Sequence, residues 1–170
     1  MSISEATKAH DRQLYGLLHV AEEDLRQASF FAAYILKKGW HFEPWEKRWT
    51  VYMQQAAFTT ALAIAYSRPF TESRGWPKFP MRLVTAFNAE QRKLHKRILN
   101  LRSLIYAHSD VGSRAIRLVS IEGYPTAIEA LPPMRFTRDE ITELQSMIKI
   151  AQNSIGTRKR ELIAAVEGKA

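Results

Sequence analysis

Apolar residues recur at steps of three and four over two long stretches of the chain, which is the pattern of an amphipathic helix. The first stretch predicts a helix over residues 9–38 that ends at Gly39, because glycine readily adopts the left-handed conformation that closes a helix. The last stretch predicts a helix over residues 138–166, opened by a capping box of Thr137 and Glu140. The two stripes comprise Leu14, Leu17, Leu18, Ala21, Leu25, Ala28, Phe31, Ala32 and Ile35, and then Ile141, Leu144, Ile148, Ala151, Ile155 and Leu162.

Two further helices are predicted between these. The helix over residues 44–66 begins at Pro44, since proline is tolerated in a first turn, and carries two apolar stripes, which indicates burial on more than one side. The helix over residues 88–108 is capped by Asn88 with Gln91 three residues later. Residues 67–81 separate these two helices, and their three prolines and one glycine predict a packed loop.

The apolar period changes to two over residues 114–131, with a turn at residues 122–125. This alternation predicts a small β-hairpin. The expected fold is therefore all-α: an antiparallel four-helix up-and-down bundle, with the hairpin inserted between helices 3 and 4, in a single domain of residues 1–170.

Composition narrows the classes of function. The 170 residues are 46% apolar and 25% charged, as in a soluble domain, and there is no cysteine, which excludes disulfides, thiolate metal sites and a cysteine nucleophile. No apolar window long enough to span a bilayer and no secretory signal is present, so we expect a cytoplasmic protein with no membrane partner. The chain has no cluster of carboxylates or histidines suited to a metal, so no metal and no cofactor are expected.

The net charge of +8 is concentrated in one segment. Residues 92–117 contain seven basic residues and one acidic residue, Asp110, for a local net charge of +6. This segment is interpreted either as a solvated helix face or as a surface for phosphates, which arginine binds through two parallel hydrogen bonds. RNA or a nucleotide is the partner considered, since no DNA-specific motif is present. The basic residues are Arg92, Lys93, Lys96, Arg97, Arg102, Arg114 and Arg117.

Arg102 and His108 are the candidate catalytic residues. Metal-free RNA cleavage needs a base, an acid and a cation that stabilises the phosphorane; histidine can supply the first two and arginine the third. The plainer alternative is that His108 caps a helix, with Asp110 fixing its tautomer. On a straight helix a six-residue step separates the two side chains by about 120° and about 9 Å along the axis. Either the helix ends near His108, or a second chain completes the site in a twofold dimer.

The string from Leu94-His95 through Leu101-Arg102 to Ala107–Asp110, preceded by Ala65–Phe70, resembles the HEPN (higher eukaryotes and prokaryotes nucleotide-binding) superfamily, in particular its abortive-infection AbiU-like branch. The resemblance implies a homodimer with two motifs facing one cleft. It implies metal-independent ribonuclease activity, often in toxins or phage-defence effectors, with a cognate antitoxin as a partner. Carried over, His108 is the acid/base and Arg102 the phosphate-stabilising cation. Ser103 departs from the Asn, Asp or His that often follows this arginine, and many family members bind without catalysis.

Six further residues near the motif are candidates for substrate binding. The four tryptophans, Trp40, Trp45, Trp49 and Trp76, are interpreted as core residues rather than as platforms for base stacking. Arg68 and Arg74 are interpreted as arginines that either reach a phosphate or pair with Glu72. Three hypotheses follow: a dimeric endoribonuclease, a non-catalytic module that binds RNA, nucleotide or a protein partner, and a helical bundle whose charges serve solubility. The six candidates are Ser103, Tyr106, Ser109, Asp110, His95 and Arg97.

Overall fold

The computed structural model describes residues 3–43, 46–103, 115–130 and 135–167. Two short 3₁₀ helices, Arg68–Phe70 and Met81–Val84, lie between the second and third α-helices. The predicted helical fold, with four helices and a hairpin between the third and fourth, is confirmed. The main elements in chain order are α1 (Ile3–Lys38), α2 (Trp49–Ser67), α3 (Ala89–Leu101), β1 (Ala115–Ile121), β2 (Tyr124–Ala130) and α4 (Arg138–Glu167).

Two predicted boundaries differ from the structure. α1 begins six residues earlier than expected, at Ile3. The expectation that α2 begins at Pro44 is wrong: α2 begins at Trp49, after Arg48 in extended conformation. Glu43 and Glu46 close a separate turn there, in which the Glu46 amide donates to the Glu43 carbonyl.

The helix ends follow the local signals in the sequence. At Gly39, with φ of 63°, the Gly39 amide donates to Leu36 and the Trp40 amide to Ile35, which together form a Schellman motif. The predicted capping box of Asn88 and Gln91 is present at the start of α3. Thr137 and Glu140 form the equivalent pair at α4, with hydrogen bonds of 2.9 and 3.2 Å. Short-range capping therefore sets these three ends.

The core lies where α1 contacts α2 and α4, while α3 packs against α2 and α4. Most of the predicted α1 stripe is buried, although Leu17 and Phe31 lie at its edge, and the predicted α4 stripe is buried throughout. Each fully buried leucine or isoleucine side chain contributes about 1.5–3 kcal/mol of hydrophobic stabilisation. Among the described helices, none is both long enough and apolar enough to cross a bilayer.

Burial on several sides of α2 is confirmed for its second half and wrong for its first. Leu62, Ala63 and Tyr66 are buried, whereas Trp49 and Met53 are exposed. The first turns of α2 are exposed because they extend past the part of the core that the other helices form. Its first buried residue is Gln55, whose side chain accepts from the Phe42 amide and donates to the Phe42 carbonyl at 2.9 and 2.8 Å.

The hairpin joins β1 and β2 in antiparallel register, with Ile121 opposite Tyr124 and Leu118 opposite Ala127. Glu122 and Gly123 both have positive φ, as a two-residue hairpin turn requires. Leu118 and Tyr124 are strongly exposed. The hairpin is therefore held mainly by its own pairing.

Candidate functional site

Of the catalytic pair predicted from the sequence, Arg102 lies within the described residues and His108 lies outside them. Arg102 follows the last residue of α3 with helical backbone angles, and its amide donates to the Ile98 and Leu99 carbonyls. The Ser103 hydroxyl donates to the Leu99 carbonyl at 3.2 Å and the side chain is exposed. Four of the eight predicted site residues lie outside the described residues: Tyr106, His108, Ser109 and Asp110.

Arg102 lines a cleft of about 460 Å³ between α1 and the segment that follows α2. Its side chain is half-buried. Within the described part of the chain, no hydrogen bond or ion pair engages the Arg102 guanidinium. The carboxylates that line the same cleft are paired with other cations, Asp24 with Arg68 and Glu72 with Lys78. A partly desolvated guanidinium that no described residue pairs with is suited to an anionic ligand, and guanidinium matches the geometry of a phosphate.

A second arginine lines the same cleft and is held by a carboxylate. Arg68 donates to Asp24 Oδ1 across 3.2 Å. The Asp24 side chain is 12% exposed, whereas the Arg68 side chain is 54% exposed. Asp24 is therefore fixed at the base of the cleft, and Arg68 presents most of its guanidinium to solvent.

Trp76 forms an aromatic wall of the cleft. Its indole rests against Gly16 of α1, where an added Cβ would lie 2.9 Å from Cζ3 of the ring. The expectation that the tryptophans are core residues holds for Trp40 and is wrong for Trp49 and Trp76, which are 68% and 44% exposed, and Trp45 lies outside the described residues. One edge of the Trp76 indole packs against Gly16, which has no side chain to hold it off, and the rest of the ring is open to solvent.

The side chain of Arg97, a predicted substrate-binding residue, forms its contacts within the protein. It forms an ion pair with Glu140 at the start of α4 and donates to the Arg135 carbonyl at 3.2 Å. Its guanidinium also lies 5.3 Å from the centre of the Phe136 ring. Arg97 thus ties α3 to the segment that leads into α4.

His95, the other described candidate, is buried at 7% exposure. Its Nδ1 lies 2.9 Å from the Tyr66 hydroxyl, and rings of Phe70 and Phe87 pack edge-on against it. Burial lowers the pKa of His95 and leaves its Nε2 without a hydrogen-bond partner. His95 lies seven residues before Arg102 in the sequence, but aromatic side chains cover His95.

The local surplus of positive charge is smaller in three dimensions than along the chain. Lys93 pairs with Glu90 at 2.7 Å, and Arg97 pairs with Glu140. Arg92 donates to the Phe87 carbonyl. Lys96, Arg102 and Arg117 are the described basic residues of segment 92–117 that lack such partners, and Arg114 lies outside the described residues. Of these, Arg102 lines the cleft.

The described residues contain no group of three or more histidine, aspartate or glutamate side chains placed to hold a metal ion. Comparison of the chain with protein-family models, curated proteins and solved structures finds no match. The function must therefore be argued from the cleft itself.

Asp24 was not predicted for the cleft, Trp76 was expected in the core, and Arg68 was considered only as an arginine that reaches a phosphate or pairs with Glu72. Asp24 and Arg68 are 44 positions apart, so their pairing has no local signal. Gly16 does carry one, because an isolated glycine inside a long helical pattern often marks a close packing contact. Gly16 therefore indicated that some residue packs closely against α1 at this point, but not that this residue is Trp76.

Proposed function

We propose that this protein is a metal-independent endoribonuclease that binds an RNA phosphate through Arg102. The observation that carries the proposal is the half-buried Arg102 guanidinium, unpaired among the described residues, in a cleft with an exposed tryptophan. Single-stranded RNA is bound by this combination, a cation for the backbone and an aromatic ring for the base.

In the proposed reaction His108 removes the proton from a ribose 2′-hydroxyl. The freed oxygen attacks the adjacent phosphorus, the bond to the 5′-oxygen breaks, and that oxygen takes a proton from a second acid. Arg102 stabilises the charge that builds on the phosphorane oxygens. The products are a 2′,3′-cyclic phosphate and a free 5′-hydroxyl, with no net change in protons.

The second acid is proposed to be the His108 of a partner subunit. His95 is the other histidine near the motif, and its burial among aromatic rings removes it from this role. A twofold homodimer brings two copies of one motif together. The helical contacts of α1 with α2 and α4 are compatible with the up-and-down bundle of the HEPN superfamily, and action as a toxin or phage-defence effector with a cognate antitoxin belongs to the same proposal.

The test is incubation of single-stranded RNA with purified protein in EDTA. Wild type should produce fragments that end in 2′,3′-cyclic phosphate, and His108→Ala and Arg102→Ala should each reduce the rate at least 100-fold. Lys96→Ala is the matched control, since it removes one exposed positive charge from α3 without touching the cleft. Absence of cleavage by wild type would refute the catalytic proposal.

A non-catalytic module that binds RNA or nucleotide is the second candidate. Two observations favour it: the cleft is complete for binding without His108, and Ser103 departs from the family pattern after the arginine. This candidate predicts binding that weakens with salt and depends on Arg102, with no turnover.

A further inference from the structure

At the floor of the cleft that Arg102 lines, two side chains present hydrogen-bonding groups in an order that can recognise a nucleobase. Arg68 supplies N–H donors, and Asp24 beside it supplies two acceptor oxygens. Asp24 Oδ1 accepts from Arg68, and Oδ2 has no hydrogen bond to any residue in the described ranges. The pair therefore presents a donor followed by two acceptors.

One base complements this order. The Watson–Crick edge of guanine offers an acceptor at O6 and then donors at N1 and the N2 amine. Uracil offers acceptor, donor, acceptor; cytosine offers donor, acceptor, acceptor; and adenine offers one donor and one acceptor. A carboxylate that meets the uracil or cytosine O2 would face a second acceptor and repel it.

Trp76 supplies the surface on which such a base would stack. Its indole lines the same cleft, is 44% exposed and is braced by Gly16. Stacking on an aromatic side chain contributes to the binding of every base, so it adds affinity without choosing among them. The choice among bases therefore depends on the hydrogen bonds to the Watson–Crick edge.

We propose that the cleft is a guanine-nucleotide subsite, in which Trp76 stacks on the base, Arg68 and Asp24 read its Watson–Crick edge, and Arg102 binds its phosphate. This inference deepens the proposed function and uses the same cleft. The guanine is supplied either by a residue of RNA or by a free nucleotide, which share this chemistry.

Equilibrium titration of the full chain with GMP, AMP, CMP, UMP and IMP tests the subsite. GMP should bind at least tenfold more tightly than AMP, CMP or UMP. IMP lacks the N2 amine and should bind several-fold more weakly than GMP. Short RNAs that carry one guanine or none separate the two sources: preference for the guanine-containing RNA over GMP assigns the subsite to RNA, and equal affinity assigns it to the nucleotide.

Variants identify the residues responsible. Trp76→Ala should weaken GMP binding at least tenfold, and Trp49→Ala, which removes an even more exposed tryptophan from α2, should leave it unchanged. Asp24→Asn exchanges one acceptor for a donor and should abolish the preference for GMP over AMP. Where Asp24→Asn lowers the folded fraction, the IMP comparison and Trp76→Ala decide the question on stable protein.

Equal affinity for the nucleotides, or equal effects of Trp76→Ala and Trp49→Ala, would overturn the inference. These readouts are independent of turnover. Guanine-selective binding without RNA cleavage refutes the nuclease proposal alone, and cleavage without any guanine preference refutes the subsite alone.

Discussion

The middle and the C-terminal end of α3 carry the same kinds of residue in opposite circumstances. In its middle, His95 is enclosed by aromatic rings and Arg97 is tied to Glu140 and the Arg135 carbonyl. Five residues after Arg97, Arg102 lines a cleft without a partner in the described part of the chain. The comparison shows that an arginine for which the described surroundings supply no acceptor keeps all of its donors for a ligand, whereas Arg97, which is bound by the fold, has fewer left.

The strongest test of this comparison exchanges the roles of the two arginines. Arg102→Ala should lower RNA cleavage 100- to 1000-fold and leave the melting temperature unchanged, because it removes a ligand contact and no side-chain bond to any described residue. Arg97→Ala should keep the activity of the folded fraction and cost about 1–2 kcal/mol of stability, because Glu140 and the Arg135 carbonyl lose their donor. Equal effects of both variants on activity would break the distinction.

His95 should behave as a core residue. His95→Ala is expected to lower the free energy of unfolding by about 2–3 kcal/mol, since it leaves a cavity among Tyr66, Phe70 and Phe87 and a Tyr66 hydroxyl without its partner. Urea denaturation measures this loss. Nucleotide affinity of the folded variant should not change; a loss of affinity at full folding would move His95 into the site.

Stability should also fall with acidification because of His95. Burial lowers the pKa of His95 below its ordinary value of 6.5, so the unfolded chain takes up a proton that the folded chain resists. The stabilisation by neutral His95 is complete above about pH 6.5 and is lost progressively as the pH falls below that value. Melting temperatures of wild type and His95→Gln from pH 7.5 to 5.0 should converge towards the acid end, and parallel curves would contradict the assignment.

The smallest effect concerns the cleft side of the comparison. Gly156→Ala, where no atom lies within 4 Å of the added Cβ, should stabilise α4 by about 1 kcal/mol through helix propensity. Gly16→Ala has the same propensity gain in α1, but its Cβ would press on the Trp76 ring. We therefore expect a smaller gain in melting temperature and a shift in tryptophan emission for Gly16→Ala alone. Identical behaviour of the two variants would show that Trp76 is not seated on Gly16.

The prediction from sequence succeeded where signals are local. The stop at Gly39 and the caps at Asn88 and Thr137 involve residues within four positions, and each is present. It failed at Trp76 and at the start of α2, because exposure depends on what packs against a residue from elsewhere. Arg102 was a predicted site residue and lines the cleft, and Arg68 was considered for phosphate contact, but the pairing of Arg68 with Asp24 was not predicted.

The order of helices and hairpin, the capped helix ends and most of the apolar faces of α1 and α4 were determined by the sequence itself, since periodicity and capping act within a few residues. Which charges remain available was decided by the tertiary structure. Glu140 reaches Arg97 from 43 positions away, and Asp24 reaches Arg68 from 44. Such pairings depend on how the helices pack, so a count of charges along α3 could not distinguish Arg97, which is neutralised, from Arg102, which is open to a ligand.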